Sequence, residues 1–168
     1  MPLRTAVLFA VTSALITTAA ADDAIVGRAA VIDGDTIEIK GERIRFNGVD
    51  APESWQLCQD ETDRDYRCGQ VAANALAEFL SRSRPTRCEF VERDRYQRFV
   101  GNCFRADGQS VSSWLVRNGH ALDWPRYSKK AFAADQEQAK RRKLGMWQGL
   151  FVRPWDARAD QRKPNSGS

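Results

Sequence analysis

Asp33-Gly34-Asp35-Thr36 and Asp50-Ala51-Pro52-Glu53 place four carboxylates within 21 residues, with Arg45 between them. Acids at that density repel one another unless a cation sits among them. Oxygen donors favour a hard cation, Ca²⁺ or Mg²⁺. An arginine beside such a cluster suits an anionic substrate, and metal-assisted attack on a phosphate ester needs both parts. If residues 25–39 form one strand, Val31, Asp33, Asp35, Ile37 and Ile39 share a face. Two carboxylates among core residues are costly unless paired or metal-bound. A hairpin turn is the competing reading of Asp33-Gly34.

Glu53 follows Pro52, which stiffens the loop that carries the carboxylate. An ordinary Glu, with a pKa of about 4.3, is a weak base at neutral pH and needs a polarised water to act on. Glu53 as general base and Glu53 as water-orienter are not separable from the residues alone. Activity is expected to rise above neutral pH. Arg45 and Arg98 suit phosphate because guanidinium is planar, permanently charged and bidentate. Tyr96 and Trp124 could stack on a base. The chain holds a single histidine, His120, which excludes chemistry built on a catalytic histidine pair. His120 follows Gly119 at a helix end, where a protonated imidazole suits the dipole, and reads as structural.

These groups need elements to hold them. Residues 25–39 are rich in β-branched residues and read as strand. Lys40-Gly41-Glu42 is a turn, and Arg43 to Asn47 alternates as its hairpin partner. Residues 54–67 are polar and read as loop. Val71, Ala75, Leu76, Phe79 and Leu80 have helical spacing over residues 70–80. Residues 88–92 and 99–104 form a second strand pair. Ser110 caps a short helix that Gly119 stops. Residues 128–144 read as the longest helix, ended by Gly145.

The 168 residues suit one domain. A short basic start, an apolar run from Ala6 to about Ile16 and Ala19-Ala20-Ala21 read as a signal peptide over residues 1–21. The expected domain covers residues 22–157, and residues 158–168 read as a flexible polar tail. Residues 126–163 carry a net charge of +7 and residues 22–125 a net −4. That asymmetry suits a polyanion at one end and a cation at the other. Four cysteines allow three pairings in an oxidising compartment. The expected pairs are Cys58–Cys68, closing a local polar loop, and Cys88–Cys103, which face each other if the hairpin centres near residues 95–96. A zinc site is disfavoured, because no Cys-x-x-Cys occurs.

Five ordered motifs are similar to those of thermonucleases, the staphylococcal-nuclease-like family. Val31-Ile-Asp-Gly-Asp-Thr-Ile37 resembles its opening motif and Arg45-Phe-Asn-Gly-Val-Asp-Ala-Pro-Glu53 its second. Asp94-Arg-Tyr-Gln-Arg98 resembles the third. Leu115-Val-Arg-Asn-Gly-His-Ala121 and residues 139–147, ending Gly-Met-Trp, resemble the later signatures. The resemblance implies an α+β fold: a five-stranded OB-type β-barrel with about three helices. It implies that Asp35, Asp50 and the backbone carbonyl of Ala51 ligate Ca²⁺. Ala51 stands where the best-studied members carry threonine, a change that a carbonyl ligand survives. Glu53 would act on the attacking water, Arg45 and Arg98 would bind the scissile phosphate, and Arg95 and Tyr96 would line the substrate path. The implied protein is a secreted or periplasmic monomer, free of the membrane after signal cleavage. It would hydrolyse single-stranded or locally melted DNA and RNA, with the 5′-oxygen leaving and 3′-phosphate products. The alternative is a non-catalytic OB-type nucleic-acid-binding module.

Overall fold

The structure, a computed structural model, describes residues 24–162. The expected signal peptide lies outside them. The residues read as one long strand form three. Strands β1 (Ala24–Gly27) and β2 (Ala30–Asp33) are two parts of one run, bent at Arg28-Ala29. Gly34-Asp35 then reverses the chain into β3 (Thr36–Ile39), which pairs antiparallel with β2. Asp33 Oδ1 accepts the Asp35 N–H at 3.0 Å, a local bond that favours a turn over continued strand. The shared strand face expected for Asp33 and Asp35 therefore does not form, and the hairpin reading of Asp33-Gly34 holds.

Strand β4 (Glu42–Phe46) follows the tight turn at Lys40-Gly41. The short β5 (Val49–Asp50) leads to a stapled hairpin, β6 (Leu57–Gln59) and β7 (Asp65–Arg67), in the segment read as loop. Helix α1 (Cys68–Ser81) covers the expected residues 70–80. Strands β8 (Thr86–Arg93) and β9 (Phe99–Phe104) follow, with β9 parallel to β4. The large sheet runs β1-β8-β9-β4-β3-β2. Its two outer strands are the halves of one bent run, so the sheet curls into a barrel. Counted as one strand, they restore the five expected.

Cys88 pairs directly with Cys103 in the β8–β9 register, and both expected disulfides are present. Inside the barrel, Ile37, Ile39, Ile44, Phe46 and Leu115 are fully or almost fully buried. Burying each such side chain contributes about 1.5–3 kcal/mol. Ala72, Leu76, Phe79 and Leu80 form the buried stripe of α1, which packs against β2.

Ser110 caps α2 (Val111–Arg117), its Oγ accepting the Ser113 N–H at 3.3 Å. Strand β10 (Leu122–Asp123) pairs with β5. The long helix expected over 128–144 is instead α3 (Pro125–Ser128) and α4 (Ala133–Arg141). Lys129 and Lys130 have φ of 54° and 68°, and left-handed residues end a right-handed helix. A 3₁₀ turn (Gly145–Gln148) precedes α5 (Pro154–Gln161). The described residues thus hold five α-helices, where about three were expected. The tail expected from residue 158 is corrected for residues 158–161, which belong to α5. Pro154, at the start of α5, and Ala157 are buried, and the Trp155 ring stacks on Trp124 at 5.8 Å. That apolar contact holds the segment to the body. Burial also pushes the His120 imidazole below its ordinary pKa, which opposes the cation expected at a helix end. No helix of the described residues is long and apolar enough to cross a membrane.

Candidate active site

Strand alternation sends Ile44 and Phe46 into the core and Arg45 to the opposite face. There Arg45 Nη1 donates to Asp35 Oδ1 at 2.7 Å and Nη2 donates to Asp50 Oδ1 at 2.6 Å. One guanidinium therefore bridges the two carboxylates expected to ligate metal. Thr36 Oγ1 donates to Asp35 Oδ1 at 3.0 Å, and the Ala51 N–H donates to Asp35 Oδ2 at 3.2 Å. The observed contact of Ala51 is thus its amide.

Gly34 makes this meeting possible. A Cβ there would lie 2.7 Å from the Ala51 Cβ and 3.1 Å from the Ala72 Cβ. The hydrogen-only side chain lets the β2–β3 turn press onto the loop after β5 and onto α1. Glu53 is fixed in a similar way. Its carbonyl accepts the Gln56 N–H at 2.8 Å, and a Cβ on Gly69 would fall 1.9 Å from that carbonyl oxygen. The first turn of α1 therefore abuts the Glu53 backbone.

A residue that the sequence reading assigned to the tail completes the cluster. Arg158, on α5, donates from Nη1 to Glu53 Oε1 at 2.6 Å and from Nη2 to Asp50 Oδ2 at 2.7 Å. The guanidinium carbons of Arg45 and Arg158 lie 5.9 and 5.7 Å from the Trp124 ring centroid. Trp124 thus packs against two arginines and Trp155, which leaves it a support for the cluster more than an open platform for a base. Pro154 at the first helical position, followed by Trp155 and Ala157, is the sequence signal that could have marked α5.

Burial and the neighbouring Asp35 push both Asp33 and Asp50 up to about 6, the latter against the pull of two guanidiniums. Burial would lower Arg45, but Asp35 and Asp50 outweigh it and hold its pKa above the ordinary value. Burial opposes the charge of Arg158 too, and its bonds to Asp50 and Glu53 more than offset that.

Arg98 stands apart from the acids. Its Nε donates to Asp94 Oδ2 at 2.7 Å across the β8–β9 turn. Burial would lift Asp94, but bonds from the Arg98 backbone and side chain and from the Tyr96 N–H hold it below its ordinary pKa. Tyr96 is 65% exposed, with the Arg95 and Arg98 guanidiniums 4.7 and 5.6 Å from its ring centroid. Asp35, Arg45, Ala51, Glu53, Arg98 and Arg158 line one cleft of about 690 Å³, which also takes in Arg126, Tyr127 and Arg162; Asp50 is fully buried and is not part of its wall. The structure brings Asp35, Arg45, Asp50 and Ala51 into contact, joins Glu53 to them through Arg158, and sets Arg95, Tyr96 and Arg98 on the rim.

Carboxylate oxygens are the donor type a hard cation takes, yet among the described residues no three acids or histidines group closely enough to hold a metal ion, and Arg45 bridges Asp35 and Asp50. Asp35, Asp50 and Glu53 place three carboxylates against two guanidiniums, and Asp33 adds a fourth. The upward push on Asp33 and Asp50 comes first from burial and then from the charge of Asp35, and a divalent cation would offset the second cause.

The sequence model of one family, described as Staphylococcal nuclease homologue, matches residues 43–149. The chain is 52% identical over 160 residues to a protein of Rhizobium meliloti (strain 1021) named Succinoglycan biosynthesis protein ExoI, covering 93% of this chain and 84% of that one. It is 33% identical over 131 residues to a protein of Escherichia coli O157:H7 named Uncharacterized endonuclease, covering 74% and 78%. Endonuclease YhcR of Bacillus subtilis (strain 168) is 31% identical over 146 residues, covering 77% of this chain and 12% of that protein.

Proposed function

The chain belongs to the staphylococcal nuclease homologue family, and from that premise we propose that it is a secreted or periplasmic, calcium-dependent endonuclease. It hydrolyses phosphodiester bonds of single-stranded or locally melted DNA and RNA as a monomer. The observation that carries this reading is the excess of carboxylate over guanidinium at Asp35, Asp50 and Glu53, at the base of a cleft that Asp35 and Glu53 line and whose rim presents Arg98. Relatives named as endonucleases support the reaction class. Two disulfides support an oxidising compartment.

Asp35, Asp50 and the Ala51 carbonyl would hold Ca²⁺. When bound, the ion supplies positive charge beside the phosphorus and eases loss of a proton from water. Glu53 orients the attacking water toward phosphorus. Arg45 has five N–H donors and commits two of them to Asp35 and Asp50, which leaves donors for the non-bridging oxygens. Arg98 closes on the phosphate from the rim. Attack in line then breaks the bond to the 5′-oxygen and leaves a 3′-phosphate. Backbone contacts dominate such binding, so little sequence preference is expected.

The test is digestion of a single-stranded oligonucleotide by the wild type in Ca²⁺, in EDTA, and by Glu53→Ala in Ca²⁺. The expected loss for Glu53→Ala is roughly 10²–10⁴-fold. Undiminished cutting in EDTA removes the calcium assignment. Binding without cutting by the wild type favours the non-catalytic OB-type module. Activity should climb above neutral pH, and a maximum near pH 5 would contradict the role given to Glu53.

A further inference from the structure

We propose that Arg158 is a positioning residue of the active centre, delivered by α5 to fix the carboxylate of Glu53. The inference rests on the hydrolytic reading above and adds a group from beyond residue 149, where the family match ends.

The arrangement is a relay of fixed groups. Asp50 is fully buried in the body of the molecule. It holds one arm of the Arg158 guanidinium at 2.7 Å, while the other arm holds Glu53 Oε1 at 2.6 Å. A planar fork anchored at one prong has little freedom at the other. The same guanidinium lies against Trp124, and Trp155 of the same helix stacks on that ring. Position, plane and distance of Arg158 are thus set by three contacts before Glu53 is reached. A glutamate side chain otherwise has three rotatable bonds and loses rate when it wanders from its water. Lysine at 158 would carry the charge but could not bridge both carboxylates in one plane.

A positioning role makes a kinetic forecast that a scaffold role does not. In the full chain acting on a single-stranded oligonucleotide with Ca²⁺, Arg158→Ala should lower kcat by about 30-fold or more, as expected for partial loss of an acid–base group. KM should change by less than about threefold, because substrate contact is not removed. Arg158→Lys should return to within about tenfold of the wild type. Glu53→Gln and the double variant Glu53→Gln/Arg158→Ala should differ by less than about threefold, because a group acting through Glu53 has nothing left to position. Arg158→Ala that retains wild-type kcat, an effect confined to KM, or a double variant slowed by the product of the two single losses overturns the proposal. If Arg158→Ala fails to fold, Arg158→Gln and Arg158→Lys carry the same comparison, with thermal melting as the check on folding. A wild type that does not cut removes the hydrolytic reading and this one together. A cutting wild type matched by an equally fast Arg158→Ala removes this one alone.

Discussion

Gly34 and Ala51 lie so close that a methyl group added to Gly34 would sit 2.7 Å from the Ala51 Cβ. Real Cβ atoms do not approach that far, so the backbones of the β2–β3 turn and the loop after β5 must part if Gly34 gains one. Asp35 rides on the first, and Asp50 ends the strand that leads into the second. Gly34→Ala should therefore cost about 1–3 kcal/mol by overpacking and reduce cutting by more than the stability loss explains. Urea unfolding, beside the rate of oligonucleotide cleavage, measures both. Unchanged stability would mean that the turn has slack.

A divalent ion that enters the carboxylate cluster should stabilise the fold, because it binds the native chain and not the unfolded one. At 100 times its Kd the gain is about 2.7 kcal/mol. Thermal melts in Ca²⁺ and in EDTA should differ for the wild type and coincide for Asp35→Asn. Equal shifts in both proteins would place the ion elsewhere.

The Cys88–Cys103 bond ties β8 to β9 within the central sheet, with a sequence separation of 15. Loop-closure entropy puts its contribution at about 3 kcal/mol. The double replacement Cys88→Ala/Cys103→Ala should lower the urea midpoint accordingly. Cys58–Cys68 has a separation of 10 and joins β6 to the start of α1, where Gly69 abuts Glu53. Its removal should disturb activity more than its smaller share of stability suggests. A variant lacking Cys58 and Cys68 but as active as the wild type would separate that hairpin from the site.

Burial holds the His120 imidazole below its ordinary pKa. The unfolded chain therefore takes up its proton first as pH falls. The stability contributed by the neutral ring is whole above about pH 6.5. It declines as pH drops toward the lower folded value. The difference in Tm between the wild type and His120→Asn, followed from pH 7.5 to 5, should shrink toward the acid end. A constant difference would mean that folding leaves the His120 pKa unchanged.

Much of the site was legible because its parts are local. Asp35, Arg45, Asp50 and Glu53 lie within two adjacent hairpin segments, and alternation on β4 alone separates Arg45 from the core. The Cys88–Cys103 pairing followed from the centre of one hairpin. Three features were not legible, each for a physical reason. The bend at Arg28-Ala29 arises from barrel closure, which involves strands far along the chain. Lys129 and Lys130 adopt left-handed backbone without the glycine that would announce it. Arg158 reaches partners 105 and 108 residues away, and a short basic segment near a chain end looks like solvated tail until Trp155 is known to rest on Trp124.

The bent run from Ala24 to Asp33 has one more consequence, for life at high concentration. A sheet normally ends in two strands with unpaired N–H and C=O groups, which can recruit a neighbouring molecule. Here both ends belong to the same ten-residue stretch: one half packs near β3 and the other lies beneath α1. Each outer strand is thus partly covered by a neighbouring element rather than left open to another molecule.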